Sequence, residues 1–232
     1  MPERTNGLSS AASALRYWER RQEVVANNLA NVSTDGFKGE RVFARMMGDA
    51  LPVAQTATDQ RAGTFRQTGN ALDVAVENDG YLVVDTPAGE RFRRGGSFQL
   101  DATRQLVDAD GQALLGAKGP IRLPVGEVTI DGAGRVRVDG AEVAQLRLER
   151  TTPGASLLHD AGSLFIPDAS RQPVPLAERK VRQGFIEESN VSSVGSLVDM
   201  IAVQRAYASV QKAVTTLDEI RGTAANDLGR PI

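Results

Sequence analysis

Residues 71–84, ALDVAVENDGYLVV, decide the fold of the middle of the chain. Two runs within this stretch, residues 71–76 and 81–84, are rich in valine, leucine and tyrosine, and such β-branched and aromatic runs favour β-strands. Asn78, Asp79 and Gly80 lie between the runs and are residue types typical of tight turns. The stretch therefore predicts two short strands separated by a turn.

Similar runs follow at short intervals through the middle of the chain. They are residues 91–94, 97–100, 105–107, 128–130, 135–138 and 143–148. Turns such as Asp139-Gly140 separate them, and Asp-Gly turns are typical of antiparallel hairpins. The spacing predicts a central antiparallel β domain, which we place at residues 64–189, after a linker at residues 41–63.

The pattern of residues 7–30 predicts an amphipathic helix. Seam residues recur there at alternating intervals of three and four, which is the spacing of a heptad repeat. The series is Leu8, Ala11, Leu15, Trp18, Gln22, Val25 and Leu29. Gly36 lies in the polar stretch that follows, where a glycine can adopt a positive φ angle and so favours the end of the helix before it.

A second helix is predicted at residues 193–221, with Asn190 or Ser192 as its N-cap and Gly222 just after its end. Its apolar stripe has the same alternating spacing and consists of Met200, Val203, Tyr207, Val210, Val214 and Leu217. Further apolar residues, Leu197, Val198 and Ile201 among them, widen the stripe. The apolar face is therefore wider than a single partner helix needs.

These elements give a mostly β fold class with long terminal α-helices. The helical segments are residues 1–40 and 190–232, and neither has a partner at its own end of the chain. A helix with an apolar stripe does not bury it alone. The two ends could pack on each other, on the β domain or on other copies of the chain, and these patterns leave the three options open.

The composition excludes several function classes. A net charge of −2 lacks the basic field needed for general nucleic-acid binding. The chain has no cysteine and one histidine, His159, which argues against thiolate or multi-histidine metal sites and against most histidine-based catalysis. Residues 108–111 have a fragment of calcium-loop spacing but lack the closing glutamate, so we interpret them as a turn. We expect no metal, no cofactor and no small-molecule substrate.

The beginning of the sequence is polar, and no apolar stretch of signal-peptide or membrane-spanning length follows it. We therefore expect no cleaved signal peptide.

Three blocks of the sequence resemble one known family. Residues 26–38, ANNLANVSTDGFK, are similar to the N-terminal signature of bacterial flagellar rod and hook proteins. Residues 64–83 and 92–108 are similar to the entry of that family's central β domain. Residues 183–207, from QGFIEESNV to IAVQRAY, are similar to its C-terminal signature.

The resemblance implies a structural axial subunit and no enzyme activity. Members of the family build a hollow rod across the periplasm, their terminal helices pair in a coiled-coil-like manner as its inner tube, and type III export delivers them. The implied partners are other copies of the chain, other flagellar rod proteins and the export apparatus. The residues expected at the assembly interface are Asn27, Asn28, Leu29, Asn31, Phe37, Met200, Ile201, Gln204, Arg205 and Tyr207.

Several alternatives remain beside this interpretation. The short stretch between residues 41 and 63 favours the proximal-rod type, and a distal-rod or hook-type protein is the alternative. The asparagines at 27, 28 and 31 could simply cap the end of a helix. The basic cluster Arg91, Arg93 and Arg94 is either a solvated strand face or a subunit contact. A cell-wall-acting enzyme is a distant alternative. Two-carboxylate hydrolysis requires both carboxylates to flank one bond, but Glu187 and Glu188 are adjacent and would point to opposite faces of a strand.

Overall fold

The computed structural model describes residues 7–45, 53–152, 157–160 and 162–228. The ends of the predicted terminal segments, residues 1–6 and 229–232, and residues 46–52 of the predicted linker lie outside the described residues. The chain forms two compact units. The helical unit lies within residues 1–30, 40–57 and 192–232, and the β unit within residues 31–39 and 58–191.

Helix α1 spans Gly7–Ala30, and helix α2 spans Ser193–Leu228. The predicted start of α2 is confirmed, and the Ser192 Oγ accepts a hydrogen bond from the Gly195 backbone N at 3.2 Å, so Ser192 and not Asn190 acts as its N-cap. The predicted end of α2 at residue 221 is wrong, because the helix continues through Gly222. Ala224 and Ala225 are strong helix formers that offset the weak propensity of that glycine.

The predicted linker contains two strands, β1 (Glu40–Arg45) and β2 (Val53–Thr58), which pair as a two-stranded sheet. All their side chains are half-buried or exposed. The sequence patterns did not indicate these strands, because no apolar run marks a strand that lacks a buried face.

The largest described sheet lies in the β unit and joins ten strands. Its main path runs in the order β16 (Leu158–His159), β17 (Leu164–Ile166), β6 (Gly89–Arg93), β5 (Tyr81–Thr86), β10 (Ala113–Gly116), β9 (Leu106–Val107) and β8 (Gln99–Leu100). Off this path, β11 (Gly119–Pro120) pairs with β10, β15 (Leu148–Arg150) pairs with β5, and β18 (Gln172–Pro173) pairs with β15. Every pairing given for this sheet is antiparallel, as predicted.

Three smaller sheets complete the described part of the β unit. They are β12 (Val128–Ile130), β13 (Arg135–Val138) and β14 (Ala141–Gln145); β19 (Val181–Gln183), β4 (Asp73–Val76) and β7 (Gly95–Ser97); and β20 (Phe185–Glu187) with β3 (Phe65–Gln67). A short 3₁₀ helix spans Leu176–Glu178. The hairpins β12–β13 and β13–β14 confirm the turns predicted at residues 131–134 and 139–140.

Residues 71–84 supply two strands of the β unit, β4 and β5, whose apolar side chains are buried. Strands β4 and β5 do not pair with each other but enter different sheets. Leu82 and Val84 belong to the main apolar core, whereas Tyr81 and Val83 belong to a second apolar cluster. Because successive side chains of a strand point to opposite faces, β5 carries apolar packing on both faces of its sheet.

Gly95 allows β7 to lie close against β4. Gly95 pairs with Ala75 and has a φ of +148°. A Cβ at Gly95 would lie 2.3 Å from the Val74 carbonyl oxygen and 2.9 Å from the Ala75 Cα. The close approach of these strands therefore requires glycine at this position.

Substituting Gly95→Ala should lower the free energy of unfolding by more than about 2 kcal/mol, because it adds both a backbone clash and an unfavourable φ. The control is Gly140→Ala, where φ is +80° but nothing lies within 4 Å of the added Cβ. Only the backbone term, about 1 kcal/mol, should remain there. Chemical denaturation of both variants measures the difference, and equal losses would contradict this account of the β4–β7 contact.

A charged cluster joins β6 to the residues just before β15 and just before β18. The Glu90 carboxylate accepts hydrogen bonds from Arg147 at 2.7 and 3.1 Å and from Arg171. The hydrogen bonds from Arg147 are the main cause that lowers the Glu90 pKa from its ordinary value of 4.5, with partial burial opposing them. A carboxylate with a lowered pKa stabilises the fold above its unfolded pKa, and this contribution is lost as the pH falls through the folded pKa.

Replacing Glu90→Gln should therefore lower Tm near pH 7, and the difference from wild type should shrink below about pH 4. Thermal unfolding as a function of pH measures this. Glu142→Gln is the control, because Glu142 has an exposed contact to Arg135 at 4.0 Å. A pH-independent deficit in the Glu90 variant would refute the electrostatic explanation.

Candidate functional site

Helices α1 and α2 pack against each other within the helical unit. Val24 and Val25 of α1 and Val203 of α2 are buried, and the Tyr207 hydroxyl of α2 donates a hydrogen bond to the Glu19 carboxylate of α1 at 3.1 Å. The described seam positions of α1 are all buried or half-buried, and so are all positions of the predicted α2 stripe except Leu217. Of the options left open by the sequence, packing of the two ends on each other is therefore observed.

A second apolar strip on α2 stays exposed. Val194 is 71% exposed, Val198 61% and Ile201 50%, and Leu197 beside them is 51% exposed. Their spacing of four and three residues places Val194, Val198 and Ile201 on one side of the helix. The helical unit thus has an internal seam and, separately, an exposed apolar strip made of Val194, Leu197, Val198 and Ile201.

The α2 residues predicted for the assembly interface divide between these two surfaces. Ile201 lies on the exposed apolar strip, and Gln204 and Arg205 are exposed beside it. Met200 and Tyr207 are half-buried on the seam side. The structure therefore places three of these five side chains where a partner could reach them.

The α1 residues predicted for the interface are mostly used locally. The Asn28 side chain donates to the Glu40 carbonyl oxygen at 2.8 Å and accepts from the Glu40 backbone N at 2.9 Å. Asn31 accepts hydrogen bonds from the backbone N and hydroxyl of Thr34 in the turn that follows α1. The local capping alternative describes Asn31, whereas Asn28 joins α1 to the first residue of β1. Asn27 is exposed and Leu29 is half-buried.

Phe37 is buried inside the β unit and does not contribute to an exposed surface. It is 1% exposed, and its ring centroid lies 5.2 Å from that of His159. The single histidine, His159, lies in strand β16 and is half-buried. Its Nε2 is 2.7 Å from the Lys38 carbonyl oxygen, so the one histidine has a structural environment.

A buried charged cluster lies where the three blocks that carry the family resemblance meet. It joins Lys38 of the first block, Arg94 of the second and Glu187 of the third, each at most 3% exposed. Arg94 Nε donates to Glu187 Oε2 at 3.0 Å, and Lys38 Nζ donates to Glu187 Oε1. Burial lowers the pKa of Lys38, and the Glu187 carboxylate opposes that shift.

Backbone groups satisfy most of the remaining hydrogen-bonding capacity of this cluster. Arg94 donates to the carbonyl oxygens of Val76, Asn78 and Gly80, Lys38 Nζ donates to the Arg61 carbonyl oxygen at 2.7 Å, and Glu187 Oε1 accepts from the Gly63 backbone N at 2.9 Å. Such pairing is what buried charges require.

Asn190 lies beside the charged cluster and joins three segments of the chain. Its Oδ1 accepts a hydrogen bond from the Gly39 backbone N at 2.8 Å. Its Nδ2 donates to the carbonyl oxygens of Asp59 at 2.8 Å and Arg61 at 2.9 Å. We refer to Lys38, Arg94, Glu187 and Asn190 together as the crossing cluster.

The sequence patterns did not identify the crossing cluster. The prediction that Arg91, Arg93 and Arg94 form a solvated face or a subunit contact fails for Arg94, which is 3% exposed. Arg93 instead pairs at 2.9 Å with Asp108, which also accepts from backbone N groups in its own turn. The opposite orientation of adjacent glutamates is confirmed: the Glu187 side chain is fully buried, whereas that of Glu188 is 43% exposed and pairs with Arg66.

The described residues also bear on metal sites and on membrane-spanning helices. In the described ranges, no group of three or more acidic, histidine or cysteine side chains could hold a metal ion. No helix in the described part of the chain is long and apolar enough to span a membrane.

A charge on the seam should unfold the helix pair of the isolated protein, whereas a charge on the exposed apolar strip should not. Val203→Asp puts a carboxylate at a fully buried position and should unfold the helix pair, since an unpaired buried charge costs several kcal/mol. Ile201→Asp changes a half-exposed position and should leave the helix pair intact. The single tryptophan, Trp18, lies in α1, so its fluorescence, together with circular dichroism, reports on this unit. Similar loss of helix in both variants would contradict the division into two surfaces.

Comparison with known proteins follows the same three blocks. The model described as "Flagella basal body rod protein" matches residues 8–38. The model "Flagellar hook protein FlgE/F/G D1 domain" matches residues 75–138, and "Flagellar basal body rod FlgEFG protein C-terminal" matches residues 182–228.

Several curated relatives are similar over most of their length. The chain is 33% identical to the flagellar basal-body rod protein FlgF of Rhizobium meliloti, covering 88% of this chain and 90% of the relative. It is 32% identical to FlgF of Escherichia coli, covering 94% and 96%. It is 29% identical to the basal-body rod protein FlgG of Bacillus subtilis, covering 92% and 95%. The chain belongs to the flagellar basal-body rod protein family.

Proposed function

We propose that the chain polymerises through its terminal helices as a proximal-rod subunit and transmits torque across the periplasm. Membership of the family makes it a structural component of the flagellar basal body with a role in motility, without enzyme activity, that assembles with other rod and hook components. The observation that supports polymerisation through the helices is the exposed apolar strip of α2.

The exposed apolar strip suits contact with a neighbouring subunit. Four large apolar side chains on one helix, each at least half exposed, leave apolar area that association can remove from water. Growth of an open-ended helical assembly requires that one surface meets a different surface on the next copy. The α1–α2 seam is already occupied, so the strip provides a second, separate contact surface.

The unequal lengths of the helices add to this surface. Within the described residues, α2 has 36 residues and α1 has 24, so at 1.5 Å per residue the described part of α2 is longer by about 18 Å. Leu217 and Ile220 in the second half of α2 are 38% and 59% exposed. We infer that α1 of the same chain leaves part of α2 for a neighbouring subunit to cover.

Position within the rod is part of the proposal. The short stretch between residues 41 and 63 favours a compact, proximal-rod subunit. A distal-rod or hook-type subunit is the alternative. We further propose delivery by the type III export apparatus. Cross-linking of this subunit to the neighbouring rod proteins in the assembled basal body distinguishes the two positions.

Substituting Ile201→Asp or Leu29→Asp should abolish swimming and incorporation into isolated basal bodies, because charge in the helical contact opposes apolar burial. Motility in soft agar and immunoblotting of purified basal bodies measure the two effects. The matched control is Val125→Asp, the same type of change at a position of the β unit that is 80% exposed.

The purified Ile201→Asp variant should keep the thermal unfolding of its β unit, which separates an assembly defect from misfolding. Normal swimming of the Ile201 and Leu29 variants, or an equal defect in the Val125 control, would overturn the proposed role of the helices.

A further inference from the structure

The chain passes between the helical unit and the β unit four times. The passages follow residues 30, 39, 57 and 191. On the β-unit side, three short segments therefore lead to these passages: residues 31–39, residues 58–63 and residues 187–191. If these segments were loose, unfolding of the helical unit would open the β unit from its ends, because frayed ends propagate local unfolding.

The crossing cluster ties the three segments to one another. Asn190 bonds to Gly39 of the first segment and to Asp59 and Arg61 of the second. Lys38 of the first segment bonds to Arg61 of the second and to Glu187 of the third. Three backbone bonds add to these: Asp59 N to Gly39 O at 2.7 Å, Gly36 N to Glu187 O at 2.6 Å and Asn190 N to Phe37 O at 3.4 Å.

The partners of this network named above all belong to the β unit. Arg94, which holds the other oxygen of Glu187, anchors the network to the carbonyl oxygens of Val76, Asn78 and Gly80. Tight backbone packing accompanies it, because a Cβ at Gly63 would lie 1.9 Å from the Glu188 carbonyl oxygen. These bonds fix the segments that lead to the helices through partners that lie in the β unit itself.

We propose that the crossing cluster is a clamp that closes the β unit and keeps it folded when the helical unit is unfolded. The clamp rests on the proposed function for its use: a helix pair that buries few of its described residues before neighbouring subunits cover it needs a β unit that does not depend on it. Its physical basis is separate: opening the cluster would leave the buried charges of Lys38, Arg94 and Glu187 unpaired, which is costly.

The first test is hydrogen exchange of the full-length monomer, measured amide by amide at increasing urea concentrations below the main transition. The reporter amides are Gly36, Gly39, Asp59, Gly63 and Asn190. Their exchange rates should follow the same urea dependence as those of the β5 and β10 amides, because both exchange by global opening of the β unit. Their rates should not follow those of the α1 and α2 amides. Exchange of the reporters together with the helices would overturn the proposal.

The second test unfolds the helices by mutation. In Val203→Asp, amides of α1 and α2 should exchange at least about 30-fold faster, while the reporter amides stay within about threefold of wild type. If the helices resist this substitution, the urea series of the first test still decides. A parallel rise at the reporters and the helices would contradict the clamp.

The third test opens the clamp itself. Asn190→Ala should raise exchange at Gly39 and Asp59 by at least about tenfold, with β5 and β10 unchanged. Asn70→Ala is the matched control, because Asn70 also bonds through its side chain but to neighbouring residues of its own turn. Unchanged exchange at Gly39 and Asp59 would remove Asn190 from the clamp. These measurements use the monomer, so their failure is distinguishable from a failure of rod assembly.

Discussion

The buried carboxylate of Glu187, held between Lys38 and Arg94, is the interaction on which the organisation of this chain depends. A buried carboxylate is tolerated only when charged and backbone donors surround it. Here the donors come from segments that are distant in the sequence, Lys38 near the start and Arg94 in the middle. Satisfying one carboxylate therefore brings the first, central and last parts of the β unit to one point.

This constraint gives a physical meaning to the three blocks that carry the family resemblance. Each block contributes one charged member of the crossing cluster: Lys38, Arg94 or Glu187. Residues 31–39 belong to the β unit, although in the sequence they follow α1 directly. The signature at the end of the first helix thus serves two purposes, since Asn28 is bonded inside the helical unit and Lys38 inside the β unit.

The helical unit and the β unit differ in how much of their apolar surface they bury. The β unit buries a large apolar core, with β5 packed on both faces. Among its described residues, the helical unit buries few, notably Val24, Val25 and Val203, and leaves Val194, Val198 and Ile201 exposed. A stable body joined to a sparsely buried helix pair suits a subunit that gains its remaining apolar burial from neighbouring subunits.

Periodicity in the sequence determined the two helices, the strands β4 to β6, β8, β9 and β12 to β14, and the turns at residues 131–134 and 139–140, because local spacing and turn chemistry suffice for these elements. Strands β1 and β2 were not predicted, since their side chains have no buried face, and α2 continued past Gly222 because its neighbours favour helix. Only the tertiary structure placed Phe37 in the core and Arg94 beside Glu187. The physical reason is that a buried ion pair is fixed by contacts across 93 positions of the chain, and a charged residue looks the same in the sequence whether its partner is water or a distant carboxylate.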